Sequence, residues 1–256
     1  MIAGVRVSPP RRRHGLVTGE ATTIRTKGDH RPCAVGHRGG DDMAFERRPL
    51  TPEHLLLAAG ACRAALAPAL DADWTVAAGG LDWSCRRTLD HVPDALVLYA
   101  AHLATRATTR LTLLRNGDPE RSPAELLSVV ETSAAVLAEV ALAAPPEARG
   151  YHGAGMADAE GFVAMGCEEI LIHADDIAQG LGVGFRPPKE LAERVLHRLF
   201  PWAPTDIDPW AALRWASGRQ ALPDRPRLGP NWYWHCAPLA EWDGTVRRRT
   251  AAPAWT

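Results

Sequence analysis

Residues 158–182 read DAEGFVAMGCEEILIHADDIAQGLG, and this stretch decides the fold class. Apolar side chains recur in it at helical spacing, at Phe162, Met165, Ile170, Ile172 and Ile177. The helix is predicted to begin near Asp158 and to end at the glycines Gly180, Gly182 and Gly184. Glu169 and His173 stand four residues apart, so both side chains should emerge on one face, one turn apart. The stretch therefore predicts a long helix that presents two potential metal ligands together.

Two helices are predicted in the part of the chain that follows residue 50. The first begins at about Thr51, and its apolar residues recur at helical spacing. The second covers about residues 84–104 and contains Pro93. Because proline lacks a backbone donor, we expect this helix to bend just beyond His91.

A third helix is predicted between these two helices and the helix of residues 158–182. It begins at a capping box, in which Ser122 precedes Glu125 by three residues, and it continues to about residue 144, where two prolines follow. Four long helices joined by shorter loops imply antiparallel neighbours, and functional groups of such proteins project into the core from facing helices. The predicted fold class is therefore all-α, a four-helix bundle.

The sequence divides into three predicted parts. Residues 1–50 hold prolines, arginines and glycines without lasting periodicity, and are predicted to be a disordered or weakly ordered N-terminal extension. Residues 51–186 form the predicted metal-binding helical bundle. Residues 187–256 are predicted to add helices over about 190–200 and 209–218 and a short, partly extended tail rich in proline and tryptophan, packed on the bundle.

Charge and composition argue against several classes of partner. The 29 basic and 30 acidic side chains leave a formal net charge of -1, so no global field would draw the protein onto nucleic acid or an anionic membrane. The basic run of Arg11, Arg12, Arg13 and His14 lacks the interleaved aromatic rings of a nucleic-acid surface. No continuous apolar run approaches the roughly 20 residues of a membrane-spanning helix. We therefore expect a cytoplasmic monomer or homodimer without a nucleic-acid or membrane partner.

The five cysteines are widely spaced and odd in number, and none forms a Cys-x-x-Cys pair, which indicates reduced thiols. Cys167 lies two residues before Glu169, roughly 200° round the helix, and should point away from a ligand face. Cys236 stands beside His235 in a predicted extended segment, where neighbouring side chains point to opposite faces. We interpret Cys167 and Cys85 as packing residues and discount Cys236 as a nucleophile with His235 as its base.

The spacing of Glu169 and His173 alone also fits an ordinary pair of surface side chains. Three motifs, however, resemble those of a known family. Residues 83–91, WSCRRTLDH, resemble the tryptophan-to-histidine motif of the DinB/YfiT-like metalloenzyme superfamily, in the branch that contains mycothiol-dependent maleylpyruvate isomerase. Residues 168–176, EEILIHADD, are similar to the second motif of that branch, and residues 215–219, WASGR, resemble a segment common in its actinobacterial members. The resemblance covers about residues 50–218.

The resemblance implies that His91 joins Glu169 and His173 around one divalent ion. Two imidazoles and one carboxylate leave a coordination position open, which is the arrangement of a catalytic zinc site. A water there would be acidified toward neutrality, and a thiol would bind as thiolate. Nickel, iron and manganese also suit these ligands. The expected cofactor is therefore a divalent metal, with zinc favoured, and mycothiol is a candidate co-substrate.

Three further residues are candidates for the surroundings of the site. Asp176 lies one turn past His173 and could accept a hydrogen bond from its imidazole, with an exposed position near the helix end as the alternative. Arg87, one turn before His91, could hold a substrate carboxylate. His152, in a glycine-rich loop before the fourth helix, is either a mobile acid or base at the cavity mouth or a solvated loop histidine.

The leading functional hypothesis, implied by the resemblance, is a metal-dependent enzyme that activates a low-molecular-weight thiol for transfer to, or isomerisation of, a small-molecule substrate. The tail is too short and proline-rich for the second domain of maleylpyruvate isomerase, so that enzyme's own substrate is not carried over. The alternatives are a non-catalytic module that binds a metal and a small ligand, and a hydrolase that uses metal-activated water. The sequence assigns no catalytic residue beyond the metal ligands.

Overall fold

Helices dominate the computed structural model of the chain, which describes residues 48–112 and 120–249. The described helices are α1 (Glu53–Leu66), α2 (Cys85–Ala104), α3 (Pro123–Ala143), α4 (Ala159–Leu181), α5 (Lys189–Leu199) and α6 (Pro209–Ala216). Two short 3-10 turns span Ala67–Ala69 and Leu239–Glu241. The prediction of a mostly helical, all-α chain is therefore confirmed.

The ends of the helices follow from local sequence. Ser122 and Glu125 form the predicted reciprocal capping box at the start of α3. The side chains of Ser84 and Asp158 accept hydrogen bonds from backbone N–H groups at the starts of α2 and α4. α4 ends at Gly182, whose φ of 69° lies in the left-handed region that glycine adopts without strain. These caps fix where the two helices that carry the candidate ligands begin and end.

The four long helices pack on one another, and α4 contacts the other three. Gly166, in the middle of α4, shows how closely they approach. A Cβ at this position would stand 2.7 Å from Leu55 of α1, 2.9 Å from Leu137 of α3 and 3.1 Å from Leu96 of α2. A residue without a side chain therefore lets three leucines meet against the backbone of α4. α2 runs as one helix through Pro93, which is buried.

α3 is rich in apolar residues. It is long and apolar enough to cross a membrane by length and composition, a test that the core helix of a soluble protein also passes. One side of it is buried against the other helices through Leu126, Leu127, Val130, Leu137 and Ala141. Three glutamates interrupt its sequence, at Glu125, Glu131 and Glu139. The cytoplasmic location stays a prediction.

A short β-hairpin stands where the sequence predicted only a glycine-rich loop. β1 (Gly150–His152) and β2 (Gly155–Ala157) pair antiparallel, with His152 opposite Gly155. β1 lies so close to α2 that a Cβ on Gly150 would stand 2.6 Å from the backbone oxygen of His102. The hairpin therefore packs directly on α2.

The C-terminal part adds two helices and a tail. α5 and α6 pack on each other, and α5 also contacts α4. The extended piece predicted at residues 231–234 forms no strand in the described chain, although Trp234 is buried as expected. The tail is attached to α5, because the backbone N–H of His235 donates to the carbonyl of Leu199 at 2.8 Å. Trp255 lies outside the described residues.

The predicted N-terminal extension, residues 1–50, lies outside the described residues except for its last three. Of these, Leu50 is buried, and its backbone N–H donates to Oε1 of Glu160 at 2.9 Å. The arginine run at residues 11–13 is likewise not described. The division of the chain at residues 51–186 and 187–256 stays a prediction.

Candidate metal centre

The three candidate ligands come from two helices that pack against each other. α2 carries His91, and α4 carries Glu169 and His173. One ligand atom from each residue lies within 4.8 Å of the others. Oε2 of Glu169 is 3.3 Å from Nε2 of His173 and 3.7 Å from Nε2 of His91. The structure therefore brings together the three residues that the sequence singled out, and the group could hold a metal ion.

The electrostatics of the group keep its carboxylate ionised. Burial alone would raise the pKa of Glu169, but the neighbouring imidazoles of His173 and His91 hold that pKa well below its usual range. Burial would lower the pKa of His173, but hydrogen bonds to Asp176 and Glu169 raise it to about 9. The carboxylate is thus ionised, and a metal ion would have to displace a proton from the His173 imidazole.

Tyr99 fixes the orientation of the candidate carboxylate ligand. Its hydroxyl donates to Oε1 of Glu169 at 2.8 Å, and the tyrosine is buried on α2. Since Oε1 is occupied in this way, Oε2 is the oxygen that faces both imidazoles. The tyrosine therefore selects which carboxylate oxygen is free for a metal.

Asp176 contacts His173 in the way that its position one turn later suggested. Oδ2 of Asp176 lies 3.2 Å from Nδ1 of His173. Because an ionised carboxylate only accepts hydrogen bonds, Nδ1 carries a proton, and Nε2 is the nitrogen that a metal ion would bind after it displaces the other proton. Asp176 is buried, and Arg219 forms hydrogen bonds to both of its oxygens, so the alternative of an exposed position is wrong.

A cavity of about 640 Å³ opens beside the candidate ligands. Its walls come from α2 and the loop before it, from α4, and from the chain that follows α6. They include Leu81, Trp83, His91, Glu168, Glu169, Ile172, His173, Arg219, Arg227, Trp232, Trp234 and Arg249. The ring of Trp83 packs edge-on against His91, with centroids 5.2 Å apart. A ligand in this cavity would reach the candidate metal site directly.

The donor set suits a divalent ion. Two imidazole nitrogens and one carboxylate oxygen converge, and all three residues line the cavity. Three protein ligands with one open side are the arrangement of catalytic rather than structural zinc sites, and the same donors also bind other divalent transition metals.

Two of the residues proposed around the site lie elsewhere. Arg87 is exposed and stacks over Trp83, with its guanidinium carbon 4.4 Å from the ring centroid, and it is not among the residues that line the cavity. His152 is neither a mobile acid nor a solvated loop residue. It is buried in β1 against Tyr99 and Trp234, and burial lowers its pKa to about 4. Both expectations about these side chains are therefore wrong.

The described cysteines are free thiols and are all buried, at Cys62, Cys85, Cys167 and Cys236. Burial raises the pKa of Cys236 to about 12, which suppresses the nucleophilic thiolate. The neighbouring His235 turns Nε2 to the carbonyl of Pro238 at 3.1 Å. The interpretation of Cys85 and Cys167 as packing residues is therefore confirmed, and the burial of Cys236 agrees with discounting it as a nucleophile.

Several residues that contact the candidate ligands or their neighbours were not predicted from the sequence. Tyr99 was expected only as an apolar position on α2. Ser217 and Arg219 belong to the third motif, but no role was assigned to them. Ser217 donates to Oε1 of the buried Glu168 at 2.6 Å. Tyr99 lies 70 residues from Glu169, Arg219 lies 43 from Asp176, and Ser217 lies 49 from Glu168. Local patterns therefore do not reveal these contacts, and only the third motif drew attention to Ser217 and Arg219.

Comparison of the sequence with models of known protein families and with curated proteins, and of the structure with solved structures, gives no match. The geometry of the site is therefore the main basis for a functional interpretation.

Proposed function

We propose that this chain is a metal-dependent enzyme of the DinB/YfiT-like type, in which α1 to α4 form a four-helix bundle around a divalent ion held by His91, Glu169 and His173. The ion, with zinc favoured, would activate a low-molecular-weight thiol or water for transfer to, or isomerisation of, a small-molecule substrate. Mycothiol is the candidate thiol. The observation that carries the proposal is the convergence of three ligand atoms within 4.8 Å at the wall of a large cavity.

A divalent ion at this position would supply Lewis-acid chemistry and would lower the pKa of a thiol or water that reached its open side. The protein's own residues prepare that position. Tyr99 holds one carboxylate oxygen of Glu169, so the other faces the ion. Asp176 holds a proton of His173 on Nδ1, so that Nε2 is the nitrogen left for a metal ion. These contacts place the donors before a ligand arrives.

The remaining walls of the cavity suit a small organic molecule. Its volume of about 640 Å³ falls within the range of small-molecule sites. Leu81, Trp83 and Ile172 provide apolar surface for the carbon skeleton of such a molecule. Arg227 donates from Nε to the carbonyl of Gly218 at 2.7 Å, and this bond leaves the two terminal nitrogens of its guanidinium for other partners. These nitrogens are suited to bind an oxygen of the substrate.

A non-catalytic binding module is the second candidate. A module that held a metal and a small ligand without turnover would use the same walls. The two candidates differ in whether a bound thiol becomes reactive.

The first experiment measures bound metal by elemental analysis on the wild type and on His91→Ala, Glu169→Ala and His173→Ala. We expect about one ion per wild-type chain and none in the three variants. His54→Ala is the control, since His54 lies at the start of α1 and its ring forms hydrogen bonds with Thr51. Circular dichroism checks that each variant is folded. A wild type that stays empty after supply of zinc, nickel and manganese overturns the proposal.

The second experiment separates the enzyme from the binding module. The Co²⁺-loaded protein is titrated with a low-molecular-weight thiol, and the visible spectrum of the cobalt is recorded. A thiol-dependent spectral change together with consumption of an electrophile supports thiol activation. A spectral change without any consumption supports the binding module. Turnover that persists without thiol supports the water-activating hydrolase.

A further inference from the structure

The ligand His173 has an ionic partner behind it that comes from a distant part of the chain. Arg219 follows α6 and reaches back to α4, where its Nε lies 3.0 Å from Oδ1 and its Nη2 lies 3.0 Å from Oδ2 of Asp176. The same Oδ2 lies 3.2 Å from Nδ1 of His173. Guanidinium, carboxylate and imidazole therefore form one continuous chain that ends at the candidate metal ligand.

The end of α6 is shaped to deliver this arginine. Gly218 has a φ of 69°, in the left-handed region, and its backbone N–H donates to the carbonyl of Trp215 at 2.9 Å. A Cβ on Gly218 would stand 3.0 Å from the ring of Trp232. The turn places Ser217 and Arg219 together against α4, where Ser217 contacts Glu168 and Arg219 contacts Asp176. The turn at Gly218 and the contact with Asp176 therefore both hold Arg219 in place.

We propose that Arg219 is a positioning residue for the metal site: it holds Asp176 so that this carboxylate fixes the tautomer and the plane of the His173 imidazole. This inference rests on the proposed function, because it concerns a residue that acts through a metal ligand. It makes the segment after α6 a part of the metal site, although this segment lies 43 residues beyond Asp176.

A buried carboxylate that faces an imidazole needs further partners. Asp176 has only 2% of its side chain exposed, whereas that of Arg219 has 18%. A carboxylate removed from water needs an opposite charge and hydrogen bonds to both oxygens, and the bidentate arginine provides these in a fixed plane. Without Arg219, Asp176 would keep the imidazole as a partner, and no guanidinium fork would define its orientation. The His173 imidazole would then be free to turn its Nε2 away from His91 and Glu169, the other two candidate ligands.

The chain contains a matched control for this contact. Arg214 of α6 pairs with Asp175, the neighbour of Asp176 on α4, at 2.9 Å. The Arg214 and Asp175 side chains are 24% and 7% exposed, close to the values of the Arg219 pair. Asp175 also accepts a hydrogen bond from Gln179, which is not a candidate ligand. Both arginines therefore connect α6 or the segment after it to α4. Only the partner of Arg219, Asp176, contacts His173 among these two aspartates.

The test compares zinc affinity in the full chain, measured by competition with a chromogenic chelator, for the wild type, Arg219→Ala, Arg219→Lys and Arg214→Ala. We expect Arg219→Ala to weaken zinc binding by about 10-fold to 100-fold, which is the usual effect of losing such an outer partner. Arg219→Lys keeps the charge without the fork and should fall between. Arg214→Ala should bind zinc as the wild type does. The visible spectrum of the Co²⁺ form should change in Arg219→Ala and not in Arg214→Ala.

Asp176→Asn keeps the test decisive where Arg219→Ala does not fold. It should weaken zinc binding by a similar factor, and the double variant with Arg219→Lys should show no further loss, because both changes act on one chain of contacts. Equal zinc affinities for Arg219→Ala and Arg214→Ala in folded proteins, or an unchanged Asp176→Asn, overturn the inference while the metal site stands. A wild type that binds no metal overturns the proposed function, and the inference falls with it.

Discussion

Tyr99 donates its hydroxyl to Oε1 of Glu169 at 2.8 Å, and Oε2 of the same carboxylate faces Nε2 of both His91 and His173. A single hydrogen bond from α2 to α4 thus decides how the carboxylate of the candidate metal site is presented. The relationship links the packing of two helices to the chemistry of the site. Any change that separates these helices should therefore also disturb the three ligand atoms.

Replacement of Tyr99 by phenylalanine tests this relationship. Tyr99→Phe leaves Oε1 of the buried Glu169 without its donor, which should lower the free energy of unfolding by about 1–3 kcal/mol. It should also weaken zinc binding, since either carboxylate oxygen can then turn toward the imidazoles. Urea unfolding and chelator competition measure the two effects. Tyr151→Phe is the control, because Tyr151 packs edge-on against His102. Equal zinc binding in both variants contradicts the role of the Tyr99 hydroxyl.

The buried His152 predicts a loss of stability in acid. Burial lowers the pKa of His152 to about 4 in the folded chain, against an ordinary value of 6.5. The unfolded chain therefore binds a proton first as the pH falls. The stabilising contribution is complete above pH 6.5 and is lost between about pH 6.5 and 4, by up to about 3 kcal/mol.

His152→Gln checks this pH dependence. Glutamine can still accept the hydrogen bond that Nδ1 of His152 takes from the backbone N–H of Ala154 at 3.1 Å, and it does not titrate. Urea unfolding from about pH 7 to about pH 4 should show a smaller decrease in stability for the variant than for the wild type. Parallel stability curves for the two proteins would show that His152 is not the titrating group.

Two helical glycines should respond to alanine in opposite directions. A Cβ on Gly180 of α4 would overlap the backbone oxygen of Ala77 and stand 2.6 Å from Sγ of Cys85, so Gly180→Ala should cost about 1–3 kcal/mol. A Cβ on Gly60 of α1 would meet no described atom within 4 Å beyond its own stretch of helix, and alanine there should stabilise the helix by up to about 1 kcal/mol. Thermal unfolding measures both. A Gly180→Ala protein as stable as the wild type contradicts the close approach.

Arg198 should be far more important for stability than an exposed arginine. It is fully buried, pairs with Asp158 at 2.5 Å, and donates to the carbonyl of His235 at 3.0 Å. Arg198→Ala leaves a carboxylate at the start of α4 without its buried partner and releases the tail, which should cost about 3–5 kcal/mol.

The control for Arg198 is an exposed ion pair. Arg186 pairs with Asp208 at 2.6 Å with 64% of its side chain exposed, and Arg186→Ala should cost no more than about 1 kcal/mol. Chemical unfolding of the two variants compares the effects. Limited proteolysis should cut the tail near residue 235 only in the Arg198 variant. Similar losses of stability in both variants contradict the role of Arg198.

Local patterns determined much of what the sequence revealed. The described helices, the capping box at Ser122 and the N-terminal end of α4 at Asp158 follow from residues within a few positions of one another. The pairing of Glu169 with His173 is equally local, since helical spacing puts them on one face. The membership of His91 in the group came from a resemblance, and that family assignment stays a prediction.

Contacts between distant segments were decided only by the tertiary structure. Helical periodicity identifies a buried face and does not identify the partner of that face. For this reason Tyr99 was predicted only as a core position, His152 was predicted as a loop residue, and Arg219 had no assigned role. Their partners became visible only when α2 and the segment after α6 were placed against α4. Local sequence patterns thus specified the helices and two candidate ligands, whereas packing set the position of the third candidate ligand, the residues that orient the site, and the cavity beside it.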